Sequence, residues 1–314
     1  MRPTLGPALL LVACGAALEG QAPAPSNTPK PFTIEVAVPV VSLTVVAHDK
    51  AGRFVSGLTP KDIRVLEDGV PQHVSFFREA TGGPDKIPLS VVLVLDASGS
   101  MRPNLHFLQE AAGAFISRME DVDAALVVQF NESVKASAEF TKDTDRLDEY
   151  VQALQAWGGT SLFDALHYGL GRIKDAPGRK AVIVFSDGDD TTSSLKEQDV
   201  VDYARAVEAT VYAVGIQGGG PGGSPRGFLK RIAAETGGEH FFPDKVGDLI
   251  KVFRAISEEL HNHYALAYVP KRDPDGSWRA ISVASDRKDL ELRVRKGYFS
   301  LPRPKGAARP AAGS

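Results

Sequence analysis

The chain has 314 residues, with 36 Lys and Arg against 39 Asp and Glu, 43% hydrophobic and 24% charged residues, proportions of an ordinary globular protein that exclude bulk disorder. A formal net charge of -3 supplies no basic field for gripping phosphate backbones, which argues against nucleic acid as a partner. No run approaches the ~20 apolar residues of a membrane-spanning helix, and the single cysteine excludes an intramolecular disulfide or a thiolate metal cage.

Arg2 precedes a short apolar run, Leu5 to Ala13, whose length suits the core of an export signal. The tetrad Leu11-Val12-Ala13-Cys14 resembles the lipobox of bacterial lipoproteins. That resemblance implies removal of residues 1–13 and lipid attachment at Cys14. It places the protein in the cell envelope, on the periplasmic or cell-surface side, with a lipid anchor as its one membrane contact. The alternative is an ordinary signal peptide cut after Ala17 or Ala22, which gives a secreted protein. Residues 14–31 end in QAPAPSNTPKP, Gln21 to Pro31, and read as an extended tether too poor in apolar residues to pack.

Residues 32–84 read as a β module. Ile34, Val36 and Val38, then Leu43 and Val45, alternate at period two, and Ile63 to Glu67 meets Asp68-Gly69, a dipeptide suited to a tight hairpin, before Val70 to Phe77 returns.

Residues 85–262 change character. Leu89 to Leu95 is a continuous apolar run suited to a strand buried on both faces of a parallel sheet. Leu105, Leu108, Ala112, Phe115 and Met119 then recur at helical spacing. Further strands are predicted at Ala124 to Phe130, Lys180 to Ser186, Thr210 to Ile216 and Glu239 to Phe242. Helices are predicted near Asp145 to Leu154, Ser161 to Ile173, Leu195 to Glu208, Phe228 to Glu235 and Val246 to Leu260. The alternation predicts an α/β fold with a doubly wound, mostly parallel sheet.

In such sheets ligands sit beyond the carboxyl ends of the strands. Asp96, Ser98 and Ser100 follow the first strand, Thr160 lies in the loop ahead of a helix, and Asp187 follows the strand ending at Ser186. An all-oxygen set suits a hard cation such as Mg²⁺, with Mn²⁺ or Ca²⁺ as substitutes. Two carboxylates leave the ion field enough to attract an acidic group from outside. An Asp followed by Ser and Gly after a strand also serves as a turn and helix cap; the conjunction with Thr160 and Asp187 favours the metal.

Here the chain resembles the von Willebrand factor A domain with its metal-ion-dependent adhesion site. Asp96-Ala97-Ser98-Gly99-Ser100 matches the Asp-x-Ser-x-Ser signature, Thr160 the loop threonine, and Asp187 in Ser186-Asp187-Gly188 the second aspartate. The resemblance implies that Ser98, Ser100 and Thr160 bind the metal directly, and that Asp96 and Asp187 act through waters or hydrogen bonds. Gly57-Leu58-Thr59, Leu66-Glu67-Asp68-Gly69, Phe76-Phe77-Arg78-Glu79 and Arg295-Lys296-Gly297-Tyr298-Phe299 resemble the related proteins abundant in acidobacteria. The implied function is an adhesion-type module that docks an Asp or Glu of a partner protein through the cation.

Two rival readings remain: a scaffold of an envelope assembly with a structural metal, and a metal-dependent phosphohydrolase. Phosphohydrolases resembling the haloacid dehalogenases need a second Asp two residues after the first, where this chain has Ser98, and no local His or Lys offers a general base. The expectation is therefore a non-enzyme. Asp189 and Asp190 read as turn residues or caps. His261 and His263 sit at a helix end where positive charge is favoured and lack the spacing of a zinc pair. Gly218 to Gly223 lacks the Lys-Ser/Thr of a phosphate loop.

Residues 263–300 return to period two: Tyr264, Leu266 and Tyr268; Ile281 and Val283; Leu290, Leu292 and Val294. Three strands need a partner surface, so they are expected to pack with residues 32–84 into a second, smaller all-β domain. Residues 301–314 read as a disordered tail.

Overall fold

The structure, a computed structural model, describes residues 39–80, 87–216 and 226–301. The export signal, Cys14, the tether, the strand expected at Ile34 to Val38, the loop Gly218 to Gly223 and all but the first residue of the tail lie outside the described residues. Among the described residues no helix is long and apolar enough to cross a membrane.

In chain order the elements are β1 (Val41–Asp49), β2 (Arg64–Glu67), β3 (Val70–Pro71), β4 (Val74–Ala80), β5 (Leu89–Asp96), α1 (Leu105–Ile116), β6 (Ala124–Phe130) and β7 (Val134–Ala136). There follow α2 (Thr144–Gln152), α3 (Leu162–Ile173), β8 (Arg179–Ser186), α4 (Glu197–Val207), β9 (Thr210–Gly215), α5 (Arg226–Thr236), β10 (His240–Phe241) and α6 (Leu249–His261). The chain closes with β11 (His263–Tyr268), β12 (Trp278–Ala284), β13 (Leu290–Arg293) and β14 (Gly297–Phe299).

The central sheet has the order β10-β9-β8-β5-β6-β7, parallel except for β7. Every residue of β5 is buried, because helices cover both faces. Val91, Leu93 and Leu95 face α1, α2 and α6, whereas Val92 and Val94 face α3, α4 and α5. The alternation of a wholly apolar strand between two cores explains why its sequence carries no polar period.

The flanks form two four-stranded antiparallel sheets, β13-β1-β11-β4 and β14-β12-β2-β3. Each takes strands from both ends of the chain, and side chains of both sheets, among them Leu43, Val65, Tyr264 and Ile281, share one core. The fold is therefore a doubly wound α/β domain with a smaller all-β domain built from the two flanks.

Three details differ from the sequence expectation. The hairpin at Asp68-Gly69 forms, with both residues at positive φ, but the return strand breaks after Pro71. Its second part, β4, leaves β2 and pairs with β11 in the other sheet. Proline cannot donate to a ladder, and the change of sheet follows it directly. The first helix stops at Ile116, and Met119 packs against the core from the turn that follows. Two three-residue strands, β7 and β14, fall where no strand is predicted, because three residues carry no readable period.

Candidate metal centre

β5 ends at Asp96, which is level with Phe130 at the end of β6. Beyond it the chain turns across the carboxyl ends of the strands: the Ala97 N–H donates to the Phe130 carbonyl at 2.7 Å, the Trp157 N–H to the Ala97 carbonyl at 3.0 Å, and the Gly99 N–H to the Gly158 carbonyl at 3.0 Å. Gly158 sits at φ +72, and a Cβ on Gly159 would lie 2.7 Å from the Thr192 methyl. Gly158 thus lets the Thr160 loop turn against the Asp96 loop, and Gly159 lets it lie against the Thr191-Thr192 loop that follows β8.

Four of the five candidate ligands form one hydrogen-bonded chain. Asp96 Oδ1 accepts from the Ser98 N–H at 2.8 Å, the Ser98 and Ser100 hydroxyls are 3.0 Å apart, and Ser100 Oγ donates to Asp187 Oδ1 at 2.7 Å. Thr160, 5% exposed, stands beside this chain and is held by Thr191 instead: its N–H donates to Thr191 Oγ1 at 2.9 Å, and its carbonyl accepts from Thr191 N at 2.8 Å. Among the described residues no hydrogen bond links its side chain to the other four.

Asp96 and Asp187 are both fully buried. Burial pushes Asp96 up to about 6 against the hydrogen bonds from Ser98 and Ser186, and the neighbouring Asp187 adds to the rise. Burial also raises Asp187. Its Oδ2 is buried with no hydrogen-bond partner. Such an oxygen costs free energy unless something satisfies it. Two buried carboxylates, an orphaned acceptor and adjacent hydroxyls are a donor set that fits a hard divalent cation.

Sequence reasoning missed the role of Ser186 in holding this set in place, while Asp190 takes the capping role it was expected to have. Ser186 Oγ donates to Asp96 Oδ2 at 2.7 Å, so the serine of Ser186-Asp187-Gly188 orients the opposite aspartate. Asp190 acts as a cap for α3: its Oδ2 accepts from the Phe163 N–H at 2.9 Å. His261 is brought near Glu120 and Asp123, and their potential ligand atoms lie within 4.8 Å of one another. Its ring nitrogens are engaged by Ser257 O at 2.7 Å and Asp123 Oδ2 at 3.1 Å.

Residues 90–254 match the family model of the von Willebrand factor type A domain. The chain belongs to that family. A von Willebrand factor type A protein from Catenulispora acidiphila is 18% identical, covering 81% of this chain and 78% of its own, with a TM-score of 0.51. This likeness extends the shared fold beyond the VWA domain itself. The von Willebrand domain of the type V pili tip protein Mfa5 from Porphyromonas gingivalis is 13% identical over 55% of this chain and 95% of its own, with a TM-score of 0.46. Proximal thread matrix protein 1 from the mussel byssus, whose structure has a zinc-occupied MIDAS motif, is 17% identical over 56% of this chain and 47% of its own, with a TM-score of 0.49. No curated protein matches.

Proposed function

We propose that the protein is an exported, non-enzymatic binding module that docks an acidic group of a partner protein through a divalent cation. Ser98, Ser100 and Thr160 would supply hydroxyl oxygens to the ion, with Asp96 and Asp187 balancing its charge through waters and hydrogen bonds. Mg²⁺ is the favoured occupant for an all-oxygen set with few carboxylates. The observation that carries the reading is the buried, unpartnered Oδ2 of Asp187 beside a second buried carboxylate.

A divalent ion held by these residues would supply a positive charge able to attract a partner's Asp or Glu. Trp157 is 44% exposed next to Gly158 and offers an aromatic contact at the rim. Lipidation at Cys14 would tether the module to the envelope. Asp96 lacks a carboxylate two residues on, which favours binding over phosphoryl chemistry.

Calorimetric titration of Mg²⁺ and Mn²⁺ into the full chain, beside Asp187→Asn, tests the metal. Saturable binding in the parent and none in the folded variant is expected. Equal heats in both would overturn the site. A parent that binds metal and captures partners equally well in excess chelator would instead favour the scaffold reading.

A further inference from the structure

The end of the central sheet away from Asp96 gathers a second group of metal-ligating side chains. Asp123 immediately precedes β6, and its Oδ1 accepts from the N–H of Leu89, the first residue of β5, at 3.1 Å. Leu89 and Asp96 stand at opposite ends of β5, about 23 Å apart at ~3.3 Å per residue, so this group is separate from the first centre. Glu120 comes from the segment between α1 and β6, and His261 is the last residue of α6.

The histidine is prepared as a ligand by its other nitrogen. Nδ1 lies 2.7 Å from the Ser257 carbonyl, which can only accept, so the proton of a neutral ring sits on Nδ1 and the lone pair on Nε2. Metal-bound histidines are oriented in this way, the second nitrogen donating to a carbonyl or a carboxylate. Nε2 faces Asp123 Oδ2 at 3.1 Å.

Asp123 is fixed as firmly. It is 1% exposed, and besides the Leu89 bond its Oδ2 accepts from the Glu120 N–H at 3.0 Å. A carboxylate oxygen has two lone pairs, so Oδ2 keeps one for a further partner. The ligand atoms of Glu120, Asp123 and His261 all lie within 4.8 Å of one another. Glu120 and His261 are both partly exposed, and the cluster opens to solvent on their side, with Asp123 as its buried member.

Without an ion, a proton on Nε2 joins His261 and Asp123 as a salt bridge. Distance and charge both point further. Two ligands of one ion with bonds of about 2.0–2.1 Å stand about 2.9 Å apart at a right angle and about 3.3 Å apart at the tetrahedral angle; the observed 3.1 Å lies between. A salt bridge needs one carboxylate for one imidazolium, whereas two carboxylates converge here on a single imidazole. A divalent cation beside a neutral ring balances both. One nitrogen and two carboxylate oxygens suit Zn²⁺ better than Mg²⁺, which takes oxygen ligands. Spacing in the sequence hides the set, because Asp123 and His261 are 138 positions apart.

We propose that Glu120, Asp123 and His261 bind one Zn²⁺, with water in the fourth tetrahedral position. The ion ties the carboxyl end of α6 to the entry of β6. Since α6 leads directly into β11, the site fastens the α/β domain where the chain leaves it for the β domain. It needs neither an ion at Asp96 nor a partner protein.

The test uses the full chain without a histidine tag, stripped of metal and titrated with Zn²⁺ by calorimetry beside His261→Gln and Glu120→Gln. Zn²⁺ can also enter the Asp96 centre, so this site is read by difference: the parent should bind one more Zn²⁺ than His261→Gln. Losing an outer partner of a metal ligand costs about 10- to 100-fold in affinity, so losing a ligand itself should weaken this site by roughly a hundredfold or more. Co²⁺ separates the two environments, since a tetrahedral site with a nitrogen ligand absorbs visible light strongly and an octahedral all-oxygen site weakly. Strong absorption is expected in the parent and in Asp187→Asn, and its loss in His261→Gln. Unchanged Zn²⁺ binding in either folded variant, or weak Co²⁺ absorption in the parent, would overturn the proposal. Should the variants fail to fold, parent crystals soaked in Zn²⁺ decide by anomalous density at the zinc edge. A peak between His261 Nε2 and Asp123 supports the site; a peak at Asp96 alone, or none, overturns it. Mg²⁺ binding at Asp96 and Asp187 is measured separately, so failure of either centre leaves the other standing.

Discussion

Two regions of this protein bury carboxylates and treat them in opposite ways. In the β domain Glu67 is 2% exposed, and its Oε2 accepts from the hydroxyls of Tyr268 and Tyr298 at 2.8 and 2.9 Å while Oε1 faces the Arg279 guanidinium at 3.2 Å. Arg279 is itself fully buried and also bonds to backbone carbonyls of Arg272 and Asp273. In the α/β domain Asp96 and Asp187 are as deeply buried, yet their partners are hydroxyls and a backbone N–H, and one oxygen has none. The first carboxylate brings its own cation; the second pair lacks one. A charge neutralised internally serves the fold, whereas a charge left for an external ion serves binding at some cost to the fold.

The comparison breaks most easily at Glu67. Removing one partner of a buried pair strands the other charge, so Glu67→Ala should lose roughly 3–5 kcal/mol, read from urea unfolding. A loss of under about 1 kcal/mol, the range of exposed pairs, would mean that water reaches Arg279.

The metal centre should respond with the opposite sign. In metal-free protein Asp187→Asn removes one of two mutually repelling buried carboxylates and is expected to raise the melting temperature. Mg²⁺ at a hundred times its dissociation constant should stabilise the parent by about 2.7 kcal/mol and the variant not at all. A destabilised metal-free Asp187→Asn would show that Asp187 is held by internal bonds as Glu67 is.

Two histidines sharpen the contrast at the junction of the domains. The Asp123 hydrogen bond raises His261 despite its burial, and the Ser257 carbonyl adds to the effect. Burial alone would raise Asp123, but hydrogen bonds from His261, Glu120 N–H and Leu89 N–H outweigh it and hold it low. His261 therefore stabilises the fold below its unfolded value of 6.5, and that contribution is lost as pH rises through its folded value. His263, pushed down to about 2 by burial and then by Arg179, behaves inversely: the unfolded chain takes up a proton that the folded one refuses. Stability is lost as pH falls from 6.5, on the order of 2 kcal/mol by about pH 5. In urea unfolding against pH, His263→Gln should flatten the acid side and His261→Gln the alkaline side. If either variant alters the other's limb, the two histidines titrate as one unit.

What could be read in advance follows from where the information lies in the chain. Leu89 to Leu95 declares a doubly covered strand by itself, and Asp96 to Ser100 sits at its exit, so the sheet and its loop residues are local statements. The place of β14 is not local: Tyr298 is fixed by a hydroxyl contact to Glu67, 231 positions away. The break between β3 and β4 likewise depends on which sheet each half finds. Ser186 was visible beside Asp187 but its role was not, since that requires β8 to lie next to β5.

The smallest expected effect tests how tightly the metal loops are held. Gly158 has φ +72, and an added Cβ would meet Glu132 at 3.0 Å. Glu132 is exposed and can swing aside, so the cost of Gly158→Ala is mainly left-handed backbone strain, about 1 kcal/mol. Relief of that strain would tilt the Gly158 carbonyl away from the Gly99 N–H, and Gly99 lies between the two serines that would face the ion. Mg²⁺ affinity should therefore fall by more than the stability loss would suggest at a metal-free reference. Thermal melts with and without Mg²⁺ measure both quantities on one sample. Equal shifts in the two melts would show that the loop tolerates the tilt, and that the hydroxyl chain from Ser98 to Asp187 alone sets the geometry of the centre.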